Sequence, residues 1–102
     1  MPLPLIAIIA AWAATVAVVV LLIIYYDDII KWFKERSDIK EADKENIAFT
    51  LKQKIESGDY KVVQGIFNKR TATVEEGRVM QAEKIDEDFA KVHGRKQLVL
   101  YE

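Results

Sequence analysis

Few side chains in this sequence are of the types that perform catalysis or hold a metal. The only histidine, His93, precedes Gly94, and a position near a predicted helix end suits a capping cation better than a catalytic base. Ser37 and Ser57 have no histidine near them in the sequence to activate a serine nucleophile. The acids of residues 86–88 fit the first turn of a helix better than a calcium loop, which needs more ligands and a central glycine. Because the chain also has no cysteine, we predict a protein that is not an enzyme and that binds no metal or cofactor.

The charge balance gives no indication of nucleic-acid binding. The chain has 15 Lys and Arg against 16 Asp and Glu, for a formal net charge of −1. Nucleic-acid-binding domains usually carry a basic face, and a phosphate-binding loop needs grouped glycines, whereas the glycines here are isolated. We therefore predict no nucleic-acid partner.

The N-terminal quarter of the chain has an unusual composition, because Met1 to Tyr26 contains no charged side chain. As one helix, Leu5 to Tyr26 would be about 33 Å long, enough to cross a hydrocarbon core of about 30 Å. We predict a single transmembrane anchor over residues 1–26. The alternatives are a cleaved signal peptide, which would need a basic start and a shorter apolar core, and a buried helix, for which the rest of the chain is small.

The flanking charges predict the orientation of this anchor. Lys and Arg occur only on its C-terminal side, and the positive-inside rule places that side in the cytoplasm. We expect the N-terminus outside and the C-terminal domain inside, at an inner membrane of a cell or organelle. The cations that support this orientation are Lys31, Lys34, Arg36, Lys40 and Lys44.

Small residues recur at helical spacing in the first half of the predicted anchor. Such residues allow a second helix to approach closely. The alternative is that alanine is simply common in helices. The predicted packing face consists of Ala7, Ala10, Ala11, Ala14 and Thr15.

Residues 27–36 continue the helical spacing of apolar side chains, with charges between them. We predict a juxtamembrane extension in which cations meet lipid phosphates and aromatic rings lie at the interface. The predicted membrane-interface residues are Tyr25, Tyr26, Lys31, Trp32, Lys34 and Arg36.

Residues 37–102 predict a small α+β domain. Ile47, Leu51 and Ile55 recur every four residues after a candidate N-cap at Asp43, which favours an amphipathic helix that ends at Gly58. A short helix over 86–93 and a sheet of three or four antiparallel strands complete the domain. The β-branched and aromatic segments that predict strands are 60–67, 73–75, 78–85 and 97–101.

Together these features predict a noncatalytic, single-pass membrane accessory or assembly subunit. Its transmembrane helix and its cytoplasmic domain would both dock on a larger membrane complex, so its partners would be membrane lipid and an integral-membrane protein. One alternative is a self-associating, membrane-anchored scaffold, for which the partner is a homo-oligomer. Another is a membrane-tethered sensor of a small ligand.

Overall fold

The computed structural model describes residues 4–101 and shows an α+β fold with a five-stranded mixed sheet. The strand order across the sheet is β1-β4-β3-β2-β5. In chain order the elements are α1 (Leu5–Ala13), β1 (Val18–Ile24), α2 (Tyr26–Glu35), α3 (Ser37–Glu41), β2 (Asn46–Lys54), β3 (Tyr60–Asn68), β4 (Thr73–Ile85), α4 (Glu87–His93) and β5 (Leu98–Tyr101).

The centre of the sheet is an antiparallel meander. Strand β2 pairs with β3 from Asn46 opposite Asn68 to Lys54 opposite Tyr60, and β3 then pairs with β4. The turn between β2 and β3 places Gly58 at φ 91°, a conformation that glycine adopts without a Cβ penalty. Strand β4 is one continuous strand, where the sequence left open whether this region forms one strand or two.

The prediction of one transmembrane helix over Leu5–Tyr26 is wrong for this structure, because α1 ends at Ala13 and the following residues form strand β1. Hydropathy measures transfer into an apolar medium and does not distinguish a membrane helix from an apolar strand. The β-branched residues from Val18 onward favour a strand. That strand lies parallel to β4, with Val18 opposite Val79 and Ile24 opposite Ile85. No helix within residues 4–101 is both long enough and apolar enough to cross a membrane.

The prediction of an amphipathic helix between Asp43 and Gly58 is also wrong, because this region contains strand β2. Residues four apart lie on one face of a helix, but they also lie on one face of a strand. Strand β2 is central, between β3 and β5, and five consecutive residues from Ile47 to Leu51 are buried. With β1 and β2 included, the sheet is larger than predicted and is mixed instead of purely antiparallel.

Two apolar clusters hold the layers together, one on each face of the sheet. On the first face, Ile9 and Ala13 of α1 pack over Phe49 and Val79. On the second face, α2 and α4 cover the sheet through a cluster that contains Ile24, Ile29, Val62, Met80, Ala82 and Phe89. Residues of the N-terminal segment therefore contribute to both clusters.

The short C-terminal helix is confirmed, since α4 spans Glu87–His93 and ends at Gly94, which has φ 54°. The side chain of Asp86 caps it, because Oδ1 accepts a hydrogen bond from the backbone N–H of Phe89 at 3.0 Å. Oδ2 of the same carboxylate accepts from the N–H of Tyr26 at 3.1 Å, in the first turn of α2. One side chain therefore joins the N-terminal ends of two helices.

Candidate docking surface

Strand β1 carries most of the exposed large apolar side chains within residues 4–101. Apolar side chains normally become buried in a fold, and a contiguous exposed set marks an interaction site. The exposed fractions are 42% for Val18, 50% for Val19, 73% for Val20, 39% for Leu21 and 77% for Leu22.

The pairing with β4 shows which face each of these residues occupies. Val18 lies opposite Val79, which belongs to the cluster under α1, so Val18, Val20 and Leu22 lie on the α1 side. Val19 and Leu21 lie on the α2 side. We call Val18, Val20 and Leu22 the aliphatic stripe.

The outer edge of β1 has no strand beside it within residues 4–101, because β1 is the last strand in the sheet order. Natural edge strands usually carry charges, proline or bulges that prevent further pairing. Val18–Ile24 contains neither a charged residue nor a proline. The other edge strand, β5, is only four residues long and follows Arg95 and Lys96. The two edges therefore differ: β5 is short and follows two cations, whereas β1 is long and uncharged.

A cavity of about 300 Å³ lies between β1 and α2. Val19, Leu21 and Met80 form its apolar wall, while Lys31 and Glu35 of α2 contribute charged groups. The indole of Trp32 also lines the cavity and is buried in the fold. The α2 side of β1 thus borders a mixed apolar and charged pocket, whereas the aliphatic stripe faces the opposite side.

Two arginines pack against Trp32. The guanidinium carbon of Arg36 lies 4.0 Å from the ring centroid, and that of Arg78 lies 5.6 Å away. Nε of Arg78 donates to Oε1 of Gln64 at 2.8 Å, and the Gln64 amide donates to the carbonyl of Ile29 at 2.7 Å. Among the described residues, Nη2 of Arg78 is buried and has no hydrogen-bond partner. Burial, followed by the nearby charge of Arg36, lowers the pKa of Arg78. These contacts fix α2 on the sheet beside β1.

The structure places the predicted membrane-interface residues around this same helix. They do not share one surface, because Trp32 belongs to the interior, whereas Lys31 and Lys34 face outward. Tyr25, Lys31 and Lys34 are exposed, Tyr26 and Arg36 are half-buried, and Trp32 is buried.

The predicted small-residue face lies on α1 and on the turn after it. The sheet-facing positions of α1 include Ile9 and Ala13, which are buried. The small residues lie mostly on the opposite side. Ala7, Ala11, Ala14 and Thr15 are exposed, and Ala10 is half-buried. In this conformation that face remains open.

A buried chain of hydrogen bonds links strand β2, helix α4 and the C-terminal strand. Nδ1 of His93 lies 3.0 Å from the carbonyl of Lys96, which can only accept, so Nδ1 carries the proton. Nε2 of the neutral ring then accepts from the Thr50 hydroxyl at 2.7 Å, and Thr50 accepts from the Tyr101 hydroxyl at 2.9 Å. Thr50 and His93 are 0% and 1% exposed, so neither side chain is accessible to a substrate in this conformation. Burial raises the pKa of Tyr101 to about 12, so it stays a donor. We interpret this chain as a structural link.

His93 is expected to make stability pH-dependent. Burial is the main cause that lowers its pKa below the usual 6.5, and the charge of Lys52 acts in the same direction. The unfolded chain therefore binds a proton below about pH 6.5 that the folded chain rejects. The free energy of unfolding should be fully retained above pH 6.5. As the pH falls toward 5 it should decrease, with a slope of at most about 1.4 kcal/mol per pH unit.

Urea unfolding of wild type and His93→Gln between pH 7 and pH 5 tests this expectation. The variant should be less stable at pH 7 because it disturbs a buried hydrogen-bonded chain. Its stability should nevertheless change less with pH than that of the wild type. Parallel profiles for the two proteins would show that His93 does not carry the dependence.

Sequence reasoning missed three polar residues that organise this part of the fold. Thr50 falls in the region predicted as a helix, and neither the buried position of Gln64 nor the packing of Arg78 against Trp32 was predicted. A strand interpretation of Ile47–Leu51 would have placed Thr50 inside the sheet, since both faces of a central strand are buried. No local signal indicates that Gln64 and Arg78 meet, because their contact depends on the pairing of β3 with β4.

Within the part of the chain that the structure describes, no three His, Asp or Glu side chains gather where they could hold a metal ion. No protein-family model, curated protein or solved structure matches this chain. The function must therefore be argued from the exposed surface itself.

Proposed function

We propose that this protein is a noncatalytic accessory or assembly subunit of a membrane complex, and that its N-terminal segment is the docking element. The observation that carries the proposal is the exposure of Val18–Leu22 within a segment, Met1–Tyr26, that has no charged side chain. A charge-free aliphatic surface gains most when it is removed from water by an apolar partner. An integral-membrane protein and its surrounding lipid provide such surfaces.

Two further features support docking. The small residues on the open side of α1 allow a partner helix to approach closely. Lys31 and Lys34 of α2 are exposed beside the uncharged segment, where cations can meet lipid phosphates. In this proposal α1, β1 and α2 form one contact region.

The location remains a prediction from charge. The cations after Tyr26 favour the cytoplasmic side of an inner membrane for residues 37–102. Protease treatment of sealed, right-side-out membrane preparations tests this placement, and we expect an epitope at the C-terminus to be protected. Its digestion in intact vesicles would contradict the cytoplasmic assignment.

Copurification from membranes in a mild detergent, followed by mass spectrometry, tests the docking proposal. We expect Val20→Lys combined with Leu22→Lys to reduce the copurifying partner by about tenfold or more. Burial of an unpaired ammonium costs more than the 1.4 kcal/mol that corresponds to a tenfold change. Both side chains are more than 70% exposed, so the fold should tolerate the change.

Ser57→Lys combined with Gln97→Lys is the matched control, because it adds the same charge at exposed positions away from β1. The control should copurify its partner like the wild type. A wild-type protein that leaves the membrane as a free chain would overturn the proposal, and so would equal losses in the two double variants.

A further inference from the structure

We propose that strand β1 pairs in antiparallel orientation with β1 of a second copy of this chain, across a two-fold axis, to give a ten-stranded sheet. This inference deepens the proposed function, because it names one partner of the docking element. It uses the backbone edge of β1, whereas docking on a membrane partner uses the side-chain faces.

The first argument is the open edge itself. In the described residues β1 pairs only with β4, so the N–H and C=O groups that point outward from Val18–Ile24 have no strand to bond to. A strand added at such an edge satisfies these groups and continues the sheet. Val18–Ile24 is long enough to supply a complete seven-residue ladder.

The second argument is self-complementarity. A two-fold axis brings the centre of a strand against itself, so a charge near that centre meets its own like charge, which is destabilising. Val18–Ile24 has no charge to repel a copy, and every residue in it is aliphatic. The β5 edge is a poorer candidate, since its ladder is only four residues long and Arg95 and Lys96 precede it.

The faces of the sheet restrict the register. When the axis is perpendicular to the sheet, residues that oppose each other must occupy the same face, so both must be even-numbered or both odd-numbered. The pairing that uses the whole strand is centred on Leu21. It places Val19 opposite the partner's Ile23, and Val20 opposite the partner's Leu22.

This arrangement doubles the aliphatic stripe. The stripe residues Val18, Val20 and Leu22 of each copy would lie side by side on the α1 side of one continuous sheet. A single strand pair buries less than a standard interface of about 1,600 Å². We therefore expect a reversible dimer with a dissociation constant near the micromolar range.

Single cysteines provide the first test, because the natural chain has none. Val19→Cys, Val20→Cys, Leu21→Cys and Leu22→Cys are oxidised mildly, and disulfide-linked dimers are quantified on gels. Directly opposed residues have Cβ atoms about 4.5–5.5 Å apart, close to disulfide geometry. We expect crosslinking to peak at Leu21→Cys. Leu100→Cys on β5 is the control, since Leu100 is 44% exposed against 39% for Leu21.

Charge pairs provide the second test, by sedimentation equilibrium. Val20→Lys with Leu22→Lys places like charges opposite each other, and we expect at least a tenfold weaker dimer. Val20→Lys with Leu22→Asp places opposite charges in the same two positions, and we expect dimerisation to recover most of that loss. Both double variants replace the same two exposed residues with charged ones, and thermal melting verifies that each variant is folded.

The outcomes separate this inference from the proposed function. A crosslinking peak at Leu21→Cys, with recovery in the Lys–Asp pair, supports self-pairing even where no membrane partner copurifies. A wild-type monomer at all concentrations overturns self-pairing, as do a peak at another position, equal crosslinking at Leu100→Cys, or equal behaviour of the two charge pairs. Copurification of a membrane partner with the wild-type chain is scored independently of these results.

Discussion

Gly77→Val is expected to lower the free energy of unfolding by about 2–3 kcal/mol, as overpacking of a well-packed site does. A Cβ atom at position 77 would lie 2.7 Å from Cη2 of Trp12 and 2.8 Å from the carbonyl oxygen of Gln64. Neither distance is compatible with a normal carbon contact. The substitution must therefore push the Trp12 ring of α1 away from position 77 and disturb the pairing of β4 with β3 at Gln64. Urea unfolding followed by circular dichroism measures the loss.

A double-mutant cycle identifies the contact that causes the loss. Trp12→Ala removes the ring over position 77, so Gly77→Val should cost at least about 0.5 kcal/mol less in the Trp12→Ala background. Gly65 is the control, because it lies opposite Gly77 in the ladder but its Cβ would collide with the backbone carbonyl of Glu76 at 2.6 Å. The Trp12→Ala substitution should therefore reduce the loss of stability caused by Gly65→Ala much less. Absence of coupling between positions 12 and 77 would mean that the Trp12 ring does not restrict position 77.

The elements that sequence analysis predicted correctly are those with local signals. Asp86 and Gly94 are the residue types that begin and end a helix, and α4 lies between them. The β-branched and aromatic residues of 60–67 likewise indicated strand β3. In both segments, residue type, spacing and flanking residues favour the same structure.

The errors occur where one pattern fits two structures. Ile47, Leu51 and Ile55 share a face in a helix and in a strand, and only the neighbours β3 and β5 decide between them. Val18–Ile24 is apolar enough for lipid, yet β4 provides a ladder for it in the sheet. Pairing between distant segments determined the outcome in both regions.

The candidate site was predictable only in part. The sequence drew attention to the uncharged segment and to its small residues, which is where the exposed surface lies. It could not indicate that Val20 and Leu22 would be exposed while Ile24 is buried, because that difference depends on the cluster formed by α2 and α4. The open edge of β1 depends likewise on the strand order.

Phe89→Ala is expected to lower the free energy of unfolding by about 3–5 kcal/mol, the usual cost of truncating a buried phenylalanine. Phe89 is fully buried, and its ring centroid lies 4.8 Å from that of His93 and 6.2 Å from that of Tyr26. The same cluster contains Ile24 of β1 and Ile29 of α2. Because a domain of this size is stable by only about 5–15 kcal/mol, a large part of its stability would be lost.

Phe33→Ala is the matched control for this prediction, since Phe33 undergoes the same chemical change but only borders that cluster and is half-buried. Its cost should be clearly smaller, because less apolar area and a smaller cavity are involved. Ile24 of β1 contributes to the cluster around Phe89 only when β1 is part of the sheet. If Phe89→Ala cost no more stability than Phe33→Ala in urea unfolding, the cluster of β1, α2 and α4 residues around Phe89 would not be formed as described. The position of β1 at the edge of the sheet would then be contradicted.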